Sequence, residues 1–254
     1  MITAVILLAG GCNKDDSPSA NTSYDLKVKD VLGVSGKVTF TETTSTTTTI
    51  SIELTNAPAV SNHAYLYMLS TVEDGEVAQT LNAVDGSGKS STVVNMAYGQ
   101  LIAYDGCVRV LKSSSETNVI IAQGDIGGNV ITTTNKTFTL KTVGVFGVSG
   151  SALFEKRVNG NTLVTVSVTG TISGDVYPAT INLGSTASVG GGPVVKVLSN
   201  VDGTTGKSYT NIRKLDNSTL ITYDNWLVYD GYINIYQAPL SAGIVISNGN
   251  IGSN

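Results

Sequence analysis

In the clearest stretches of this chain, apolar and polar residues alternate one for one. Ile50, Ile52 and Leu54 alternate with Ser51, Glu53 and Thr55, and Val164, Val166 and Val168 alternate with Thr165, Ser167 and Thr169. A period of two puts successive side chains on opposite faces of a strand, so these segments predict half-buried strands rather than helices. The threonine-rich stretch 43–49 predicts a hairpin tip with its flanking strands, because a β-branched side chain is stiff and fits the pleat. Val-Asp-Gly clusters and Asn159-Gly160-Asn161 supply the positive φ that tight turns demand. Several short strands joined by regular turns predict an antiparallel β-sandwich.

The pattern is written twice. Gly33-Val34-Ser35-Gly36 followed by Val38-Thr39-Phe40 recurs 114 residues later as Gly147-Val148-Ser149-Gly150 followed by Ala152-Leu153-Phe154. Val84-Asp85-Gly86 with Gly88-Lys89-Ser90 recurs as Val201-Asp202-Gly203 with Gly206-Lys207-Ser208. Asp105-Gly106-Cys107-Val108-Arg109-Val110 matches Asp230-Gly231-Tyr232-Ile233-Asn234-Ile235, and Gly124-Asp125-Ile126-Gly127 matches Gly249-Asn250-Ile251-Gly252. The order is kept while the offset grows to 125, as loop insertions in the second copy require. The repeat predicts a first domain over 26–128, a linker over 129–137 and a second domain over 138–254.

The start of the chain reads differently. Residues 1–11 are apolar, end in small residues just before Cys12, and are too short to span a bilayer, which takes about 20 apolar residues as helix. They fit a cleaved targeting segment and resemble a bacterial lipobox, with Cys12 carrying the lipid; the alternative is a short apolar terminus with an ordinary thiol. Residues up to 25 then form a polar tether, in which Lys14, Asp15 and Asp16 resemble an export signal to the outer face of an outer membrane. The expected setting is therefore the outer membrane or cell surface, with the membrane as a partner through a lipid anchor. With two cysteines in all, acylation of Cys12 leaves Cys107 alone, and the folds hold by burial without staples. A net charge of −4 gives no basic field for a phosphate backbone, which argues against a nucleic-acid partner.

Taken together, the second copy's motifs resemble the CHRD domain, a module of secreted proteins. Pro178-Ala179-Thr180-Ile181-Asn182-Leu183-Gly184 stands where that family has Ala-His-Ile-His-Leu-Gly, and Gly192-Pro193-Val194-Val195 with Leu198 follows its Gly-Pro-Val-Val-x-x-Leu step. Asp230-Gly231-Tyr232-Ile233-Asn234-Ile235-Tyr236 is similar to its Tyr-Val-Asn-Val-His strand, and Gly249-Asn250-Ile251-Gly252 to its Gly-x-Ile ending. The first copy offers Ala64-Tyr65-Leu66-Tyr67-Met68 at the His-x-His step. The resemblance implies two tandem Greek-key β domains, similar in fold to copper/zinc superoxide dismutase. It also shows what is missing, because the imidazole positions hold Tyr65 and Tyr67 in one copy and Thr180 and Asn182 in the other, and Tyr236 stands at the later one. Neutral hydroxyls and amides bind copper and zinc poorly, so neither a metal site nor a cofactor is expected. The single histidine, His63, reads as a surface or hydrogen-bonded residue.

Other motifs carry less. Gly88-Lys89-Ser90 and Gly206-Lys207-Ser208 lack the earlier glycine of a phosphate loop and read as turns. Glu73, Asp74 and Glu76 around Gly75 can gather a calcium ion, with solvated loop charges as the plainer reading. Tyr229, Tyr232 and Tyr236 with Asn234 form an aromatic cluster whose last three members share one strand face, opposite Ile233 and Ile235. Such a face can stack on a glycan or anchor a protein partner; Trp226 reads as a core or junction residue. The expected function is a non-catalytic surface lipoprotein with a structural, adhesive or assembly role, with self-association through sheet edges. The alternative is a glycan- or small-ligand-binding module using the tyrosine face.

Overall fold

The computed structural model describes residues 19–188, 191–237 and 243–254, so Cys12, Lys14, Asp15 and Asp16 lie outside the described residues. The first copy comprises β1 (Asn21–Val28), β2 (Ser35–Thr44), β3 (Thr47–Thr55), β4 (Asn62–Met68), β5 (Val77–Val84), β6 (Lys89–Val94), the short helix α1 (Tyr98–Ile102), β7 (Gly106–Leu111) and β8 (Ile120–Ile126). The second comprises β9 (Ile131–Thr142), β10 (Ser149–Arg157), β11 (Thr162–Thr169), β12 (Val176–Leu183), β13 (Val194–Asp202), β14 (Lys207–Ile212), α2 (Tyr223–Trp226), β15 (Asp230–Tyr236) and β16 (Val245–Gly252). The chain is all-β, in two antiparallel eight-stranded sheets.

The sheet orders are β5-β4-β7-β8-β1-β2-β3-β6 and β10-β11-β14-β13-β12-β15-β16-β9, the second closing into a barrel. Read from β13, the second repeats the first strand for strand. Neighbours such as β4 with β7 and β3 with β6 are not consecutive in the chain, which gives each copy its Greek-key crossovers. Each copy has its own core. In the first, Phe40, Ile50, Ile52 and Leu66 are buried; in the second, Phe154, Val164, Val166 and Trp226 are. The alternating runs named above face inward at every apolar position, each side chain contributing about 1.5–3 kcal/mol by leaving water. Phe154 sits edge-on to both Phe138 and Trp226, with ring centroids 5.2 and 5.9 Å away.

The repeated Gly-x-Ile-Gly ending has a mechanical cause. Gly127 and Gly252 take positive φ, 54° and 69°, and a Cβ on either would lie 2.3 or 2.0 Å from the carbonyl oxygen of Tyr104 or Tyr229. Only glycine tolerates both the left-handed turn and that approach.

Two boundaries differ from the sequence expectation. Residues 129–137, expected as a linker, mostly form the start of β9, and residues 21–25, expected as tether, open β1. Most of the first half of β9 is exposed on both faces, so it shows no apolar alternation, and the inner face of β1 begins with Thr22 and Tyr24 instead of aliphatic side chains. Backbone pairing with β10 and β2 holds them in the sheets. The chain passes from one copy to the other through a 3-10 turn at Gly127–Asn129 and Val130.

Side chains bridge the terminal strands of the first sheet and the matching strands of the second. Asn82 donates its N–H to Thr92 Oγ1 across β5 and β6, and Ser199 donates to Thr210 Oγ1 across β13 and β14, both at 2.8 Å. The second copy adds a strap. From Lys89 and Lys207 to Asp105 and Asp230 the offset between copies rises from 118 to 125, so seven extra residues fall between β14 and β15. Within that segment Asp216 donates its N–H to Val195 O at 3.0 Å, while its carboxylate accepts from Val197 N–H and Lys196 Nζ, both at 2.7 Å. The outer edge of β13 is thereby covered.

Burial pushes the Asp216 carboxyl up, but the hydrogen bonds from Lys196 and Val197 and the Lys196 charge outweigh it and hold the group below the usual carboxylate range. A depressed carboxyl stabilises the strap above its unfolded pKa, and that contribution is lost as pH falls through the folded one. The hydrogen-exchange protection of the Val197 amide should therefore fall on acidification, and Asp216→Asn should lower it already at neutral pH. Equal protection in the variant would show that the carboxylate does not hold the strap.

Candidate functional site

The tyrosine face of β15 lies where the alternation places it, opposite the core, because Ile233 and Ile235 point inward. It is nevertheless not an exposed surface. Tyr232 is 4% exposed and Asn234 6%, while Tyr236 and Tyr229 are half-buried, the latter with its ring centroid 4.9 Å from that of Trp226. This corrects the expected stacking platform. The connection after β12 returns over the face: Gly192 donates its N–H to Tyr232 Oη at 2.8 Å, and Asn182 Nδ2 donates to Gly192 O at 2.9 Å. Alternation decides which face a residue occupies, not whether a loop comes back over it.

Beneath that loop the register sets Thr180 opposite Asn234 and Asn182 opposite Tyr232. Thr180 Oγ1 donates to Asn182 Oδ1 at 2.7 Å and lies 3.3 Å from Tyr236 Oη, to which Asn234 Nδ2 also donates at 3.3 Å. The result is a set of neutral groups bonded to one another. Such a donor set does not fit copper or zinc.

The first copy fits a cation even less well. Arg109 lies 4.8 Å above the Tyr67 ring and donates through Nη2 to the carbonyls of Glu73 and Thr71 at 2.9 and 3.3 Å. A permanent positive charge thus occupies the face beside Tyr65 and Tyr67. His63 Nδ1 is 3.4 Å from Tyr65 Oη, a hydrogen-bonded position. Cys107 is fully buried, and burial pushes its thiol up to about 12 despite the partial offset from Arg109, so at neutral pH it is a protonated core group. Among the described residues, no group of three or more His, Cys, Asp or Glu side chains is placed to hold a metal ion.

No family model, curated protein or solved structure matches this chain.

The most organised polar cluster is at the junction of the copies, and the sequence did not single it out. Arg157, at the end of β10, is 0% exposed. Its Nη1 donates to Asp125 Oδ2 at 2.7 Å and to Asn129 O, and its Nε donates to Asn211 Oδ1 at 2.9 Å. Asn211 Nδ2 in turn donates to Glu73 Oε2 at 2.8 Å, which also accepts from Ser70 Oγ at 2.6 Å. The second oxygen of Asp125 accepts from Thr71 N–H at 2.7 Å. Beside this network, Asn159 donates from Nδ2 to Asp105 Oδ1 at 2.8 Å and from its backbone N–H to Gly128 O at 2.9 Å. One guanidinium thus ties the loop after β4 and the end of β8 to β10 and β14.

Glu73 therefore serves the junction, which corrects the weighed calcium reading for that residue. A cleft of about 510 Å3 opens beside the network, lined by Tyr24, Lys27, Gln123, Leu163 and Tyr209 among others. The network's chemistry is that of a clamp: its carboxylates are charge-paired or hydrogen-bonded, and its cation is out of solvent. A signal for it did exist. The two copies share Gly-x-Ile-Gly, and the variable residue is Asp125 in one and Asn250 in the other, a charge difference inside an otherwise repeated motif.

Proposed function

We propose that this protein is a non-catalytic, lipid-anchored surface protein of the outer membrane, a tandem CHRD-like unit with a structural, adhesive or assembly role. The observation that carries the reading is the buried Arg157 clamp, which fixes two barrels against each other where catalysis would call for an open, reactive site. The positions that bear imidazoles in the metal-binding relatives hold side chains bonded to one another, which supports a role without a cofactor. The glycan-binding alternative loses its stacking surface with the burial of Tyr232 and Asn234.

Anchoring is tested at the N-terminus. Cys12→Ser should abolish lipid labelling and release the protein from the membrane fraction, because acyl chains supply about 0.8 kcal/mol of membrane affinity per buried CH2. Replacing Lys14, Asp15 and Asp16 with Ala should keep the label but reduce protease accessibility on whole cells. A wild-type protein with no lipid label, and a Cys12→Ser protein that stays in the membrane fraction, would refute the anchor.

A further inference from the structure

We infer that the cleft beside the Arg157 clamp binds a neutral saccharide between the outer faces of the two copies. This goes beyond the proposed function by naming a ligand and a site away from β15, and it stands whether or not Cys12 is acylated. The volume of about 510 Å3 falls within the range of small-ligand sites, about 300–1,000 Å3, which form preferentially where two domains meet. One wall is the outward side of β1 and β8, with Asp25, Lys27 and Gln123; the other is the outward side of β11 and β14, with Leu163 and Tyr209. Neither copy makes the cleft alone.

Alternation explains why these side chains are available. Leu26 points into the first core, so Asp25 and Lys27 point out of it. Ser208 and Ile212 are buried, so Tyr209 stands on the outer face of β14 and remains 42% exposed. Leu163 also faces outward from its sheet, with Thr165 and Ser167, yet it is only 6% exposed where the copies meet.

The polar groups of the cleft are unspent. Gln123 Oε1 is buried without a hydrogen-bond partner, and its amide nitrogen, which has none among the described residues, is the end that can meet a ligand. Neither Asp25 nor Lys27 belongs to an ion pair among the described residues. A hydroxyl both donates and accepts, so one kind of group can serve the Gln123 amide, the Asp25 carboxylate and the Lys27 ammonium. Charge then decides between ligand classes. Asp25 and Lys27 offset one another, and Asp125, which also lines the cleft, is already paired with Arg157, so no net field favours an ionic ligand. The Tyr209 ring and Leu163 offer flat and aliphatic area to the C–H face of a sugar ring. The walls are also fixed in advance, because Asp125 holds the Thr71 amide on one side while Arg157 holds Asn211, two positions from Tyr209, on the other. A site ordered before binding loses less entropy on binding.

The test is saturation-transfer NMR on the full chain carrying Cys12→Ser, with glucose, galactose, mannose, N-acetylglucosamine, cellobiose, lactose and chitobiose as neutral probes and glucuronate and glucosamine as charged ones. At least one neutral probe should receive saturation through its ring protons. Tyr209→Ala should weaken its binding at least about tenfold while the β-type circular dichroism is kept, and Tyr209→Phe, which keeps the ring, should retain most of it. Gln123→Leu should weaken binding by a similar factor without lowering the urea midpoint of the free protein, because that amide makes no hydrogen bond there. Saturation of no probe, or of glucuronate or glucosamine alone, would overturn the inference, as would a Kd unchanged in both Tyr209→Ala and Gln123→Leu.

Discussion

Replacing Arg157 with alanine is expected to destabilise the protein by about 3–5 kcal/mol, the range for breaking a buried ion pair by removing one partner. The Asp125 side chain is only 13% exposed, so the truncation strands a carboxylate with little access to water, and it also leaves Asn129 O and Asn211 Oδ1 without their donor. Because each copy has a core of its own, the loss should fall on the coupling between them. Calorimetry should show a single unfolding transition in the wild type and two in Arg157→Ala. Adding Asp125→Asn to the variant should recover part of the loss, since a neutral amide tolerates the site without a cation. A loss below about 1 kcal/mol, in the range of an exposed pair, would mean that the junction is not held by this contact.

Phe154→Ala should cost a similar amount, about 3–5 kcal/mol, for a different reason. Its ring is fully buried between Phe138 and Trp226, and the surrounding strands of a closed barrel cannot collapse far into the space left behind. Trp226 is the only tryptophan, so its fluorescence reports on the second barrel. In Phe154→Ala its emission should shift in the native state, and its urea midpoint should fall. In Phe40→Ala, the matching change in the first barrel, the native emission should stay as in the wild type. A native emission that moved equally in both would show that the two cores are not separate.

These effects also mark where the sequence was readable. Period-two alternation at Ile50, Ile52 and Leu54 and at Val164, Val166 and Val168 named core positions correctly, because burial on one face is what produces the alternation. The repeat fixed equivalent strands, since matching motifs occupy matching places in both sheet orders. The beginnings of β1 and β9 escaped because they hold their places by backbone bonds to β2 and β10, which leave little trace in side-chain polarity. Tyr232 and Asn234 were placed on the right face but the wrong side of a covering loop, whose return depends on two bonds to Gly192. Arg157 is one charged residue beside a turn, and only its spatial meeting with Asp125, 32 positions away, makes it a clamp.

The difference between Asp125 and Asn250 has a consequence for the copies themselves. In the first, the acid binds both the Thr71 amide and Arg157; in the second, Asn250 performs only the local task, accepting from Thr186 N–H at 2.8 Å. Thr43 occupies the first-copy place of Arg157, so neither half of the clamp is present in both repeats. Two modules with one topology have become a left and a right part. A chain made of the second repeat twice would offer Arg157 a neutral amide, and one made of the first repeat twice would leave Asp125 facing a threonine. Order along the polypeptide is therefore written into the junction, where Arg157 and Asp125 must come from different copies.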